Sequence, residues 1–185
     1  MKTTTSLLAG ILILVMCVSS FATVRTVSSN PSTIAQFSDI QSAIDASADG
    51  DSVYVYGSPN VYPAFTIVDK KITVIGPGYA PDKDIPLQAM VAGVTIRNSG
   101  ATGSPDGSEL QGLLFTGAAA LVHTQGGADT SFGNLRIIRC QFNSTVNFSL
   151  ASSGMLLESC VFYSTIGFNS TLTYQNFLFQ NNYFY

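Results

Sequence analysis

One ten-residue stretch of this sequence occurs again after 20 residues. The segments CQFNSTVNFS (140–149) and CVFYSTIGFN (160–169) carry Cys, Phe, Ser, Thr and Phe at equivalent positions, and Ile replaces Val between them. A pattern that recurs at a short fixed interval is typical of chains that fold by stacking similar units. This repeat restricts the possible folds more than any other feature of the chain.

The same unit extends beyond the two best copies. Phe115, Phe142, Phe162 and Phe184 each end a short apolar segment, at offsets of 27, 20 and 22 residues. A period of about 20–25 residues with β-type content indicates a stacked repeat, whereas propeller blades need about 40 residues and leucine-rich repeats need a Leu/Asn consensus that is absent. We therefore predict an all-β fold, a parallel β-helix (β-solenoid) of about five coils, in which like residues stack at the strand spacing of about 4.8 Å.

A short amphipathic helix is predicted ahead of the strands. Phe37, Ile40 and Ile44 recur at helical spacing, and Ser38 followed by Gln41 has the spacing of a capping box. The helix is expected to stop at the turn DGD (49–51). The period then changes to two in SVYVYG, FTIVD, KITVIG and VAGVTIRNS, with loops at 79–88 and 100–108.

The first 22 residues have the pattern of a secretory signal peptide. Lys2 precedes an apolar run at 7–18, and the small residues of Ser20-Phe21-Ala22 predict cleavage after Ala22. The run is shorter than the roughly 20 residues of a membrane span. We expect a secreted or cell-surface protein without a membrane span in the mature chain, an exposed lead-in at 23–36 and one β-helix domain at 37–185. A lipoprotein signal and an uncleaved anchor are the alternatives.

The charge balance argues against nucleic acid as a partner. Without Lys2 the chain has seven basic and 11 acidic residues, a net charge of −4, whereas nucleic-acid binding requires a basic face. Charged residues make up only 10% of the chain, so Ser, Thr, Asn, Gln and Gly must cover its surface. Such surfaces tend to adhere to polymers or to each other.

Residues 37–79 resemble the N-terminal start of secreted, right-handed parallel β-helix proteins of the pectin-lyase-like superfamily. The resemblance rests on Ile40, Gln41, Ala43, Ile44, Gly50, Asp51, Val53, Tyr54, Val55, Tyr62, Pro63, Lys71, Ile72, Thr73, Val74, Ile75 and Gly76. It implies a right-handed β-helix whose first open end is covered by the helix. It does not define an activity, because the superfamily contains lyases, hydrolases, epimerases and non-enzymatic surface proteins.

The last residues, Asn182-Tyr183-Phe184-Tyr185, match the Cys-Gln-Phe-Asn of the repeat but lack the Ser-Thr that follows it. Stacked repeats need polar terminal units for solubility. We therefore expect a chain that is incomplete at its C-terminus, or one that associates end to end through an uncapped final coil.

Few residues are candidates for chemistry. The resemblance implies Ca²⁺ held by clustered carboxylates with an Arg or Lys base in lyases, and clustered Asp residues in hydrolases. Between residues 110 and 185 the only carboxylates are Asp129 and Glu158. We therefore assign no catalytic, metal or cofactor-binding residue and expect no cofactor.

The remaining polar candidates have simpler explanations. Loop solvation or turn formation accounts for Asp82, Lys83, Asp84, Asp106, Glu109, Asp49 and Asp51, a strand end for His123, and surface solvation for Arg136 and Arg139.

Cys140 and Cys160 are expected to be stacked neighbours in adjacent coils. Side chains of stacked parallel strands point the same way, so their Cβ atoms lie farther apart than the roughly 3.8 Å of a disulfide. We predict two buried free thiols, although an exported protein with paired cysteines normally favours a disulfide.

These observations lead to two hypotheses for function. The first is a scaffold or binding module, with polysaccharide or another protein as partner. The second is the N-terminal fragment of a polysaccharide lyase or glycoside hydrolase that acts on an acidic polysaccharide.

Overall fold

Over the residues that the structure describes, the fold is all-β with one short helix, and the strands of its sheets pair in parallel. A computed structural model describes residues 22–78, 87–123, 133–149 and 151–185. The predicted signal peptide (except Ala22), most of the 79–88 loop with Asp82, Lys83 and Asp84, and Asp129 lie outside these ranges.

In the described residues the strands, numbered in chain order, form three main sheets. Sheet A contains β1 (Val24–Val27), β2 (Ser52–Val55), β4 (Thr73–Ile75), β7 (Glu109–Gln111), β10 (Arg136–Ile138), β14 (Leu156–Glu158) and β18 (Leu178–Gln180). Sheet B contains β5 (Met90–Val91), β8 (Leu114–Phe115), β11 (Gln141–Phe142), β15 (Val161–Phe162) and β19 (Tyr183–Phe184). Sheet C contains β3 (Phe65–Val68), β6 (Val94–Arg97), β9 (Ala119–His123), β12 (Thr145–Phe148) and β16 (Ile166–Phe168). A small sheet D pairs β13 (Ser152–Ser153) with β17 (Tyr174–Gln175).

The chain visits the sheets in a constant order. From β4 onward each pass runs through A, then B, then C, and the next pass pairs in parallel with the previous one in every sheet. The seven strands of sheet A exceed the five coils expected, because β1 and the final A and B strands belong to incomplete passes.

Like residues stack on like residues in the core. In sheet A the inward column is Val53, Val74, Leu110, Ile137 and Leu157, all fully buried. In sheet B the predicted Phe column is present: Phe115, Phe142, Phe162 and Phe184 are paired in register, with successive ring centroids 5.0, 5.2 and 5.0 Å apart. The repeat in the sequence is thus a repeat of side-chain positions in one core.

The bend from sheet A to sheet B has its own sequence requirement. The residue that follows the A strand in four consecutive passes has a left-handed backbone: Gly112 (φ 64°), Arg139 (φ 51°), Ser159 (φ 54°) and Asn181 (φ 53°). The side chains of non-glycine residues make this conformation unfavourable by about 1–2 kcal/mol. The bend therefore imposes a left-handed backbone on the residue at this position, and that residue need not be glycine.

The helix α1 (Ile40–Asp45) is present, but its predicted capping box is wrong. Its N-cap is Asp39, not Ser38: the Asp39 Oδ1 accepts a hydrogen bond from the Ser42 N–H at 2.8 Å. The Gln41 side chain is used elsewhere, because its Oε1 accepts from the Thr66 N–H at 2.7 Å and its amide donates to the Thr66 carbonyl at 3.2 Å. Gln41 therefore links helix α1 to β3 by hydrogen bonds and does not cap the helix.

One face of α1 covers the first strands. Ile40, Ala43 and Ile44 are buried against β1, β2 and β3. Within the described ranges, no helix has the length and hydropathy that crossing a membrane requires.

The lead-in at 23–36 is not simply exposed. Val24–Val27 pair with β2 as the first strand of sheet A, and Val27 is fully buried. On the other side, the Phe37 N–H donates to the Thr26 carbonyl and the Ser28 N–H donates to the Phe37 carbonyl, each at 3.0 Å. The segment therefore belongs to the folded unit, and residues 36–37 shield its outer edge.

Candidate functional site

A polar cleft of about 420 Å³ lies where the chain returns from sheet C to sheet A. Its walls come from four consecutive connecting segments, which lead into β7, β10, β14 and β18. The lining residues are Asp106, Gly133, Asn134, Ala151, Ser152, Ser153, Thr173 and Gln175.

Backbone hydrogen bonds between passes form the frame of the cleft. The Asn134 N–H donates to the Ser153 carbonyl at 2.8 Å, and the Gly154 N–H donates to the Gln175 carbonyl at 3.1 Å. The Asp106 Oδ1 accepts from the Gly133 N–H at 2.6 Å, so the carboxylate is held against the next pass. These bonds join the connecting segments on either side of the cleft.

Two glycines allow the passes to approach closely. A Cβ at Gly133 would lie 2.4 Å from the Ser153 carbonyl oxygen, and a Cβ at Gly154 would lie 2.4 Å from the Asn134 Oδ1. Gly154 also has φ +70°, which disfavours other residues. A side chain at Gly133 would press on the backbone of the next pass, whereas one at Gly154 would displace the Asn134 side chain and strain the backbone.

The chemistry available in the cleft is hydrogen bonding. Its lining offers a carboxylate, the amides of Asn134 and Gln175, and the hydroxyls of Ser153 and Thr173. Of these residues, Asp106 alone contributes a formal charge, so the lining lacks the second carboxylate of an acid/base pair. Among the described residues, no three His, Cys, Asp or Glu side chains are placed to hold one metal ion.

Of the candidate polar residues that the structure describes, Asp106 lies at the cleft and the others are elsewhere. Glu109 and Arg136 form an ion pair across adjacent passes of sheet A, with Oε2 and Nε 3.0 Å apart. Arg139 is exposed at the bend after β10, and His123 is the last residue of β9. Glu158 ends β14. The two arginines therefore do not form a common cationic site.

Asp49 and Asp51 hold the ends of strands. The Asp49 Oδ1 accepts from the Lys71 N–H at 2.7 Å. Asp51 is buried, which acts to raise the pKa of its carboxyl, but hydrogen bonds from the Thr23 and Ala48 N–H groups and the charge of Arg25 outweigh burial and hold that pKa below its usual value. Both carboxylates therefore bind backbone N–H groups near the ends of neighbouring strands.

Cys140 and Cys160 are buried free thiols in adjacent passes, as predicted. The Val161 N–H donates to the Cys140 carbonyl at 3.0 Å, which fixes their stacking. Burial raises the pKa of both thiols, that of Cys160 to about 11. They contribute to the core and are poor nucleophiles in the folded protein.

The cleft could not be located from the sequence. Its lining residues are common polar types from segments far apart in the chain, and they form no motif. The glycines that precede the A strands, Gly133 and Gly154, are the only sequence signal near it.

Comparison with known proteins gives no match: no protein-family model, no curated protein sequence and no solved structure matches this chain. The architecture and the cleft therefore carry the functional argument alone.

Proposed function

We propose that the chain is an exported protein with a right-handed parallel β-helix fold like that of the pectin-lyase-like superfamily, and that it acts as a scaffold whose polar cleft binds a polysaccharide. The constant A, B, C order of the passes and their in-register pairing support the β-helix. Right-handed connection between successive parallel strands is the general rule. The signal-like pattern at 1–22 supports export.

The single observation that carries the binding proposal is the composition of the cleft. Sugar hydroxyls both donate and accept hydrogen bonds, and the amides of Asn134 and Gln175 and the hydroxyls of Ser153 and Thr173 can pair with them in either direction. The connecting segments stack along the sheets, so the cleft suits an extended polymer that crosses several passes.

The charge of the cleft favours a neutral polysaccharide. Asp106 places a negative charge in the lining without a cation beside it among the lining residues. Asp106 is exposed, so its repulsion of another negative charge is modest. A uronic-acid polymer is therefore expected to bind more weakly than a neutral glucan or galactan.

Calorimetric titration of the purified chain with a soluble β-glucan, a galactan and polygalacturonate tests this proposal. We expect binding to at least one neutral polymer and weaker binding to polygalacturonate. Asp106→Asn and Gln175→Ala should each weaken binding about 3–10-fold, the value of one hydrogen bond. Asp45→Asn, an exposed carboxylate on α1, is the matched control and should not change it.

Two results would overturn the proposal. One is binding that is unaffected by both cleft variants, or no binding at all. The other is cleavage of polygalacturonate by the purified chain, which would support the lyase or hydrolase hypothesis instead.

A further inference from the structure

The residue that follows the predicted signal-peptide cleavage site is bonded to the β-helix on both sides of its backbone. Within the described ranges, hydrogen bonds to the rest of the fold begin at Thr23. Its carbonyl accepts from the Ser52 N–H at 2.9 Å, and its N–H donates to the Asp51 Oδ1 at 2.7 Å. The cleavage pattern in the sequence and the first bonds in the structure therefore coincide at the Ala22–Thr23 peptide bond, whose two residues are both exposed.

Asp51 is a buried carboxylate whose charge is only partly paired. It is 3% exposed. Its Oδ2 accepts from the Ala48 N–H at 2.9 Å and lies 3.5 Å from the Arg25 Nη2. That separation exceeds the roughly 2.7–2.9 Å of a charge-assisted hydrogen bond, so Arg25 neutralises the carboxylate incompletely. Because a buried charge is costly unless it is paired, a cation at the Oδ1 would stabilise the fold.

Hydrolysis of the Ala22–Thr23 bond by a signal peptidase produces such a cation. In the uncleaved chain the Thr23 nitrogen belongs to a neutral amide with one N–H. Water adds to the Ala22 carbonyl carbon, the C–N bond breaks, Ala22 keeps the new carboxylate, and the Thr23 nitrogen leaves as an amino group that is protonated at neutral pH. The atom that already lies 2.7 Å from the Asp51 Oδ1 then carries a positive charge.

We propose that removal of the signal peptide completes the anchoring of β1, because the free α-ammonium of Thr23 forms an ion pair with the buried carboxylate of Asp51. The uncleaved chain has only a neutral hydrogen bond at this place. β1 is the first strand of sheet A, so the ion pair stabilises the start of the β-helix in the processed protein alone. This inference rests on the export proposed above and is independent of polysaccharide binding.

Secretion of the full chain from a host that has a signal peptidase, followed by N-terminal sequencing, tests the first step. The secreted protein should begin at Thr23. A variant with one alanine inserted after Ala22 should be cleaved at the same place, which leaves alanine ahead of Thr23 and returns the Thr23 nitrogen to a neutral amide. In urea unfolding at about pH 7, the wild-type protein should have a folding equilibrium constant about 5–10-fold larger than that of the insertion variant, since charge-assisted hydrogen bonds are roughly twice as strong as neutral ones.

A double-mutant cycle assigns the effect to Asp51. Asp51→Asn keeps an acceptor oxygen but removes the charge, so the alanine insertion should change the stability of this variant by less than about 2-fold. Asp49→Asn is the matched control. The Asp49 carboxylate also accepts a backbone N–H bond, but from Lys71 ahead of β4, on the opposite side of β2 from β1. In this control the insertion should still reduce the equilibrium constant by the full 5–10-fold.

The pH dependence tests the ion pair without any change at Asp51. The charged groups beside the Thr23 nitrogen are Asp51 and Arg25, and the guanidinium stays charged throughout. The carboxylate raises the pKa of the α-amino group above its unfolded value of about 7.7–8.0. The advantage of the wild-type protein over the insertion variant should therefore be complete near pH 7 and disappear as the pH rises to about 10.

The outcomes separate this inference from the proposed export. A secreted chain that begins at Thr23 but is no more stable than the insertion variant would overturn the ion pair and leave export standing. An advantage that persists unchanged to about pH 10 would overturn it equally. A chain that is retained in the cell, or that begins at another residue, would overturn both the ion pair and the export on which it rests.

Discussion

Replacing Phe142 by alanine removes the central ring of the Phe column in sheet B. Phe142 is fully buried and stacks on Phe115 at 5.0 Å and on Phe162 at 5.2 Å, with interplanar angles of 6°. Loss of a buried Phe side chain costs about 3–5 kcal/mol of unfolding free energy. The two ring pairs contribute about 0.5–1.5 kcal/mol each within a well-packed site. We therefore expect Phe142→Ala to lower the free energy of unfolding by about 3–5 kcal/mol.

Two further variants separate the causes. Phe142→Leu keeps most of the apolar volume but loses both ring pairs, so it should cost about 1–3 kcal/mol. Phe184→Ala, at a ring that is 60% exposed and stacked on one side only, should cost about 1–2 kcal/mol. Urea unfolding followed by circular dichroism measures all three at one dilute protein concentration. Equal costs for Phe142→Ala and Phe184→Ala would refute the stacked-column reasoning.

Three other predictions follow from local geometry. Because the folded-state pKa of Asp51 lies below its unfolded value, its stabilising contribution is present above about pH 4 and is lost as the pH falls through the folded pKa. Asp51→Asn should therefore reduce the fall of the unfolding free energy at acid pH, measured by urea unfolding, and an unchanged fall would contradict this. Cys140 and Cys160 should resist iodoacetamide at about pH 8 until urea unfolds the chain, because burial raises both pKa values; labelling of the folded protein, read by mass spectrometry, would contradict it. Arg139→Gly and Ser159→Gly should each raise the unfolding free energy by about 0.5–1 kcal/mol, because the steric strain removed at φ 51° and 54° exceeds the entropy cost of glycine. A lower urea midpoint for either variant would contradict this.

The stacking of the Phe column could be predicted from the sequence because Phe ends a short apolar segment in each pass. Phe115, Phe142, Phe162 and Phe184 therefore identify equivalent positions even though the loops between them differ in length. The buried face of α1 was equally predictable, because helical spacing places Ile40 and Ile44 together.

Pairings between passes could not be predicted, because loop lengths vary and the register depends on them. Glu109 and Arg136 were interpreted as solvated residues, yet register places them opposite each other. The spacing from Ser38 predicted that Gln41 caps the helix. Its side chain instead binds the backbone N–H and carbonyl of Thr66, 25 residues away. The cleft could not be predicted for the same reason, because its lining residues come together only when the passes stack.

β1 was missed for a related reason. VRTV is short and contains two polar residues, and its strand conformation depends on pairing with Ser52–Val55. An isolated strand of this length has no periodic signal to distinguish it from an exposed segment.

Couplings across hydrogen bonds, measured by NMR on the isotopically labelled protein, test the central claim most directly. In-register parallel stacking predicts a coupling between the Val161 N–H and the Cys140 carbonyl, and another between the Tyr183 N–H and the Cys160 carbonyl. Couplings that instead join neighbouring segments as antiparallel hairpins, such as β14 to β15, would contradict the claim.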